Sequence, residues 1–280
     1  LINFRKVKMA TFVSLISGSS GNATFVSDGK TNLLIDCGMS GAKLKESLHA
    51  IDVMPESIDA LLITHEHVDH TKGAGVISRR YNIPIYTTQG THTSMDIGNI
   101  ADENIKIITE DTDFEIGNIG IRPFAIPHDA AQPVGFNFMI GDEKYSLATD
   151  IGKMTKSILE KITGSKKILL ESNHDVEMLK CGTYPYPLKR RILGEYGHLS
   201  NETASKVALH LVQNGTEHIM LGHLSKENNY EALAYETVCS EVTLGDNPYR
   251  SKDFQIQVAK RDSISAVSYT HLTLPTTPYV

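Results

Sequence analysis

The segment Thr64-His65-Glu66-His67-Val68-Asp69-His70 restricts the possible folds of this chain more than any other stretch. Three imidazoles and two carboxylates fall within six residues, directly after the apolar run Ile58-Asp59-Ala60-Leu61-Leu62-Ile63. Such a run has the length of a buried strand. A strand that ends in this cluster delivers metal ligands to one edge of a sheet. Histidine is the commonest metal ligand, and hard carboxylates beside it suit zinc, manganese or iron.

A chain of 280 residues is long enough for one substantial domain. Its net charge of −6 excludes a generally basic nucleic-acid scaffold but leaves room for a local basic strip. The three cysteines (Cys37, Cys181, Cys239) are odd in number and form no C-x-x-C pair, so they read as reduced thiols of a cytoplasmic protein. No apolar run reaches membrane-spanning length. Arg5-Lys6-Val7-Lys8 before Met9–Ile16 imitates a signal peptide only in part, because the apolar portion is short and lacks a small-x-small cleavage site. Residues 1–9 are expected to be an extension outside the domain, with Met9 as a candidate natural start.

Strands are predicted at Thr11–Ile16, Ala23–Ser27, Thr31–Asp36, Ile83–Thr87, Lys167–Leu170, His218–Leu221 and Phe254–Ala259. Helices are predicted after Ser40 as N-cap (Leu44, Leu48 and Ile51 on one face), over Gly73–Tyr81, and near 154–162, 187–196, 201–213 and 229–240. Residues 105–148 have strand-and-turn character, and Phe136, Phe138 and Met139 are expected in the core. Strands precede helices in each half and no linker interrupts them, which predicts a layered α/β domain over residues 10–262. Residues 263–280, with Thr273-Leu274-Pro275-Thr276-Thr277-Pro278, fit no such pattern and read as translated cloning or adapter sequence.

Adjacent residues cannot enclose an ion by themselves, so further ligands must arrive from other strand ends. His128, Asp150 and His223 each end an apolar β-like run and are the candidates. With them, residues 10–260 resemble the metallo-β-lactamase fold superfamily of metallohydrolases. That resemblance implies a single-domain, four-layer αβ/βα sandwich and two divalent metal ions, zinc first and manganese second. It implies His65, His67 and His128 on one ion, Asp69, His70 and His223 on the other, and Asp150 bridging them. Two ions about 3.5–4 Å apart can share a hydroxide nucleophile and clamp the charge that develops on the scissile oxygen.

Asp150, where antibiotic-hydrolysing members commonly carry cysteine, leans towards phosphodiester substrates. Tyr196-Gly197-His198-Leu199-Ser200 resembles a motif of the nuclease branch. By that likeness His198 is the general acid and Glu171 its acidic partner, with Asp69 counted as catalytic as well as ligating. The loop Ser17–Asn22 reads as an anion nest offering Ser19, Ser20 and Asn22 to a phosphate. His174 and Asp175 read as groups that orient ligands, and His174 also as a substrate contact. Lys189-Arg190-Arg191 and Arg79-Arg80 are candidate phosphate contacts. Together with Ile35-Asp36-Cys37-Gly38 and Ser172-Asn173-His174-Asp175, these motifs resemble the WalJ/YycJ group of small bacterial DNA-processing exonuclease-like proteins. The expected activity is metal-dependent cleavage of nucleic acid, DNA ahead of RNA, without a membrane partner. The stretch between Asp150 and His223 is too short for the inserted domain of β-CASP nucleases. That between His128 and Asp150 is too short for a tRNA-binding arm. Alternatives are hydrolysis of small cyclic amides or esters (β-lactamase or lactonase type) and a tRNA 3′-processing-like endonuclease.

Overall fold

The computed structural model describes residues 10–245 and 248–265. The expectations for residues 1–9 and for the tail beyond 265 lie outside the described residues.

Two sheets carry the fold. The first holds β1 (Thr11–Gly18), β2 (Gly21–Ser27), β3 (Asn32–Ile35), β4 (Ala60–Leu62), β5 (Ile85–Thr88) and β6 (Ile105–Ile108) in sequence order. The second holds β7 (Phe114–Ile116), β8 (Ile119–Ala125), β9 (Val134–Ile140), β10 (Glu143–Ala148), β11 (Lys167–Glu171), β12 (His218–Gly222) and β13 (Gln255–Val258), again in order. β3 to β6 run parallel, as do β10 to β13, while hairpins build the remainder.

Strands buried on both faces read as continuous apolar runs, and the pleat divides each run between two cores. Leu33, Ile35 and Leu62 point inward to meet Phe136, Phe138, Leu147, Leu169 and Met220 of the second sheet. Their neighbours Leu34 and Leu61 point outward, onto helices α1 (Gly41–His49) and α3 (Ala74–Tyr81), with α2 (Val68–Thr71) between these helices in sequence. α4 (Gln89–Ser94) follows β5. On the far side, Ile168, Leu170, Ile219 and Leu221 pack on α5 (Lys156–Ile162) and on two longer helices after α6 (Val176–Cys181) and α7 (Tyr186–Ile192). These are α8 (Asn201–Gln213) and α9 (Glu231–Leu244), each packed by one apolar side. The result is helix, sheet, sheet, helix.

Most predicted elements are present, with shifted ends. Ser40 caps α1 by accepting from Lys43 N–H. The predicted helix near 187–196 stops at Ile192, because Gly194 follows and His198 N–H turns back to Ile192 O. α2, α4 and α6, of four to six residues each, are too short to show a helical period. Met139 is the one core expectation that fails. It is 43% exposed, on the opposite face of β9 from Phe136 and Phe138, in a cavity it shares with Ser157 and Lys161 of α5.

The parallel strands bring β3, β4, β10, β11 and β12 to the same edge, and β8 runs in their direction. The sheets are tied there by Val134 N–H to Thr64 O at 3.0 Å, and by His223 N–H to Ser17 Oγ at 2.9 Å. The turn after β3 threads under the ligand loop, with Cys37 N–H donating to His70 O and Gly73 N–H to Cys37 O. A Cβ on Gly38 would stand 1.7 Å from Asp69 O. The Gly38→Ala variant should lose about 3 kcal/mol of stability or more, as overpacked sites against backbone do. Denaturant unfolding would check this, and an unchanged midpoint would show that the turn can yield.

Candidate metal centre

Three strands end in a residue forced into the left-handed backbone region. Asp36 after β3, Asp150 after β10 and His223 after β12 have φ of 59°, 59° and 56°. Non-glycine residues there cost on the order of 1–3 kcal/mol each and persist only where surroundings over-determine them. Here each abrupt turn brings a titratable side chain into one buried cluster.

Four imidazoles in this cluster share an orientation. His65 Nδ1–H donates to Thr64 Oγ1 at 3.0 Å, and Thr64 Oγ1–H donates onward to Asp36 Oδ2 at 2.9 Å. His70 Nδ1–H meets the same Asp36 oxygen at 2.8 Å. His128 Nδ1–H faces Gly197 O at 3.2 Å, and His223 Nδ1–H faces Glu171 Oε1 at 3.0 Å. With Nδ1 engaged by these acceptors, each Nε2 is the ring nitrogen turned to the interior, as an acceptor behind a ligating histidine enforces. His67 closes the set with its Nδ1, 3.1 Å from His65 Nε2 and 3.4 Å from His128 Nε2. Lone pairs held this close repel unless a cation lies between them.

The carboxylates complete two groups. Asp69 Oδ2 lies 3.4 Å from His70 Nε2 and 3.5 Å from His223 Nε2. Asp150 reaches both sides, with Oδ1 3.3 Å from His223 Nε2 and 3.8 Å from His128 Nε2, and Oδ2 3.4 Å from His70 Nε2. Ligand atoms of His65, His67 and His128 lie within 4.8 Å of one another, as do those of Asp69, His70 and His223. Asp150 Oδ2 is buried without a hydrogen-bond partner. A buried carboxylate oxygen without a donor is costly, and a hard divalent cation would satisfy it. The donor set of nitrogen and oxygen therefore fits such ions.

Charge in the cluster is unbalanced in the sense a cation corrects. Burial, helped by the neighbouring His70, His128 and His67, pushes the His65 pKa well down, and burial lowers that of His128. Both are neutral and able to ligate. Burial would also depress His70 and His223, but Asp150 and the other carboxylates outweigh it. His70 is raised well above its usual value and His223 to about 10. Protons stand there where metal charge would otherwise be.

Beside the cluster, Glu171 at the end of β11 is fully buried and uses both oxygens. Oε1 accepts from His198 Nδ1–H at 2.8 Å as well as from His223, and Oε2 accepts from Ile151 N–H at 2.8 Å and Leu199 N–H at 3.0 Å. Burial works to raise its pKa, but His198 and then His223 hold it well below the usual carboxylate range. His198 keeps 19% of its side chain exposed, and with Nδ1 engaged its Nε2 is the free edge.

All seven expected ligand residues thus meet at one place, with His198 and Glu171 beside them. Asn22 also reaches it, its Nδ2 standing 3.1 Å from His70 Nε2 and 3.4 Å from Asp69 Oδ2. Ser19 and Ser20 do not, since Ser17 pairs with Asn22 and Gly18 with Gly21, leaving them exposed at the hairpin tip. The anticipated anion nest is closed at Gly18, whose N–H donates to Asn22 Oδ1. His174 is buried behind Glu171, with its pKa pushed down to about 4 by burial, and joins none of the ligand groups. Asp175 caps α6 by accepting from Met178 N–H. Of the basic residues, Lys189 donates to Lys180 O and Gly182 O, Arg191 pairs with Asp129, and Arg79 donates to Ile97 O. Asp36 was missed as a functional residue. Its place at the end of the apolar run Leu33-Leu34-Ile35, as Asp150 ends its own, was the available signal.

The sequence profile of the β-lactamase superfamily domain matches residues 31–223. The chain is 39% identical over 236 residues to the exodeoxyribonuclease WalJ of Streptococcus pneumoniae, covering 83% of this chain and 88% of that protein. It is 38% identical over 229 residues to the exodeoxyribonuclease YycJ of Bacillus anthracis, covering 81% and 87%. Zn(2+)-bound PqqB from Methylobacterium extorquens has a similar fold at 17% identity, with a TM-score of 0.66 over 91% of this chain and 99% of that one. The chain belongs to the β-lactamase superfamily, in its metallo-β-lactamase-fold WalJ/YycJ branch. Among the described residues, no helix is long and apolar enough to cross a membrane.

Two outcomes follow from the site. The Asp36→Asn variant, which cannot accept from both His70 and Thr64 as a carboxylate does, should bind metal about 10- to 100-fold more weakly in a chelator competition. Unchanged affinity would show that Asp36 does not set ligand orientation. Because His70 and His223 carry protons in the metal-free protein and must lose them to ligate, metal affinity should rise from pH 6 towards the His223 value of about 10. Calorimetry in buffers of different ionisation enthalpy should register proton release on loading; no release would mean both rings are already neutral.

Proposed function

We propose that this chain is a dinuclear metal-dependent phosphodiesterase that acts on DNA as an exonuclease. The observation that carries it is the Glu171–His198 pair, a buried carboxylate holding a partly exposed imidazole at the rim of the ligand cluster. The names of the S. pneumoniae and B. anthracis relatives support the same substrate. His65, His67 and His128 would hold one ion, and Asp69, His70 and His223 the other, with Asp150 between them. Zinc fits the imidazole-rich set, and manganese is the second candidate. When bound, such ions supply a nucleophile drawn from water and Lewis-acid stabilisation of charge on the phosphate.

The chain's own residues do the rest. Asp69 lies in the cluster with Asn22 against it, and Asn22 Nδ2 meets the same Oδ2 that faces His70 and His223. His198, held to Glu171 by Nδ1, would in its protonated form offer the Nε2 proton to the leaving oxygen, which would otherwise depart as an alkoxide. Glu171 holds that imidazole by Nδ1 and leaves Nε2 as its outward edge. A lactam or lactone hydrolase needs no such donor if the departing group remains bound to an ion, so the pair favours phosphodiesters. Of Ser19, Ser20 and Asn22, it is Asn22 that reaches the cluster, with its amide held against Asp69 and His70, while Ser20 and Ser19 lie two and three residues away at the exposed tip.

The test uses end-labelled DNA with zinc or manganese. His67→Ala should abolish cleavage, and His198→Ala should lower kcat by about 10²–10⁴-fold while metal content stays that of the wild type. Undiminished cleavage by either variant removes the corresponding role. Lactam turnover by the wild type that survives His198→Ala, without any DNA cleavage, would overturn the substrate class.

A further inference from the structure

We propose that α7 and the loop from it to His198 form a base-stacking platform for a single-stranded segment of nucleic acid. The proposal rests on the phosphodiesterase function above. α7 contributes no buried residue to the fold, yet Tyr186 is 72% exposed and Tyr196, just beyond the helix, 63%. Exposed aromatic rings are poorly placed for stability, and both lie on the segment that leads to the proton donor, Tyr196 two residues before His198 and Tyr186 twelve before it.

The segment is nonetheless fixed to the catalytic edge. Arg191 pairs with Asp129, Asp129 N–H donates to Tyr196 O at 3.1 Å, and His128 Nδ1–H faces Gly197 O at 3.2 Å. Gly152, two residues after Asp150, packs so closely that a Cβ there would stand 2.2 Å from Glu195 O. Such anchoring fixes the backbone that carries Tyr196 and the end of α7 to the edge that holds His198, which lowers the entropy lost on stacking a base.

The charges decide the kind of contact. Lys189 is committed to the carbonyls that end α6, and Arg191 to Asp129, so Arg190 is the remaining cation of the Lys189-Arg190-Arg191 run. Its guanidinium lies over the Tyr186 ring, 6.0 Å from the centroid. One cation without a carboxylate partner in this run, and two exposed rings, suit unpaired bases, whose faces are open, more than a duplex backbone, which needs many cations. Unpaired nucleotides leading to His198 are what an enzyme working from a chain end presents.

The experiment measures anisotropy of a labelled phosphorothioate single strand, and of a blunt duplex, with the metal-loaded protein. Tyr196→Ala and Tyr186→Ala should each weaken single-strand binding by about tenfold, with duplex binding little changed. Tyr196→Phe should retain the wild-type affinity, because the ring is what matters. Thermal midpoints equal to wild type confirm that the exposed substitutions leave the fold intact. Equal loss on duplex and single strand, a Tyr196→Phe variant as weak as Tyr196→Ala, no loss in either alanine variant, or no single-strand binding by the wild type would each overturn the platform. Hydrolysis of bis(p-nitrophenyl) phosphate by the wild type reports separately on the phosphodiesterase itself. Its absence sinks that function, whereas its presence without the stacking effects sinks only the platform.

Discussion

The Glu171 carboxylate is the interaction on which the arrangement turns. It is buried at a strand end and accepts four hydrogen bonds, two from backbone and two from imidazoles with different tasks. One imidazole, His223, belongs to the ligand cluster, and the other, His198, faces solvent. A buried charge of this kind is tolerated only because it is fully paired. Its pairing fixes the distance between the place where ions would sit and the place where a proton is available. Asp36 does the corresponding work on the first sheet, holding His70 directly and His65 through Thr64. Each sheet thus supplies one buried carboxylate whose role is to aim histidines.

These two anchors explain why turns are strained where they are. A strand end that simply continued would carry Asp36, Asp150 and His223 away from the edge. Left-handed backbone at each position folds the side chain back over the sheet, and the hydrogen bonds received there offset the conformational cost. Gly38, under the Asp69 carbonyl, permits the close threading that the ligand loop requires.

Much of this was legible in the sequence. H-x-H-x-D-H and the apolar runs before His128, Asp150 and His223 pointed to the residues that meet in the cluster, because a strand's length and end can be read from hydrophobic pattern. The short helices α2, α4 and α6 were not legible, since four to six residues show no period. Met139 was misplaced because alternation names a face without saying whether anything covers it. Ser19 and Ser20 looked like phosphate contacts by composition, but hairpin register turns them outward. The fate of Lys189 and Arg191 depends on tertiary partners (Gly182 O and Asp129) that no local pattern reveals.

The contact between His223 N–H and Ser17 Oγ joins residues 206 positions apart. It means that the ligand cluster is a property of the closed sandwich and of neither half. A nick that let the two sheets separate would leave one piece with His65, His67, Asp69 and His70 and the other with His128, Asp150 and His223. Neither piece would retain a diminished version of the centre. Ions that bridge the two sets would act as a clasp across the sheet interface, so the chemistry and the integrity of the fold are lost or kept together.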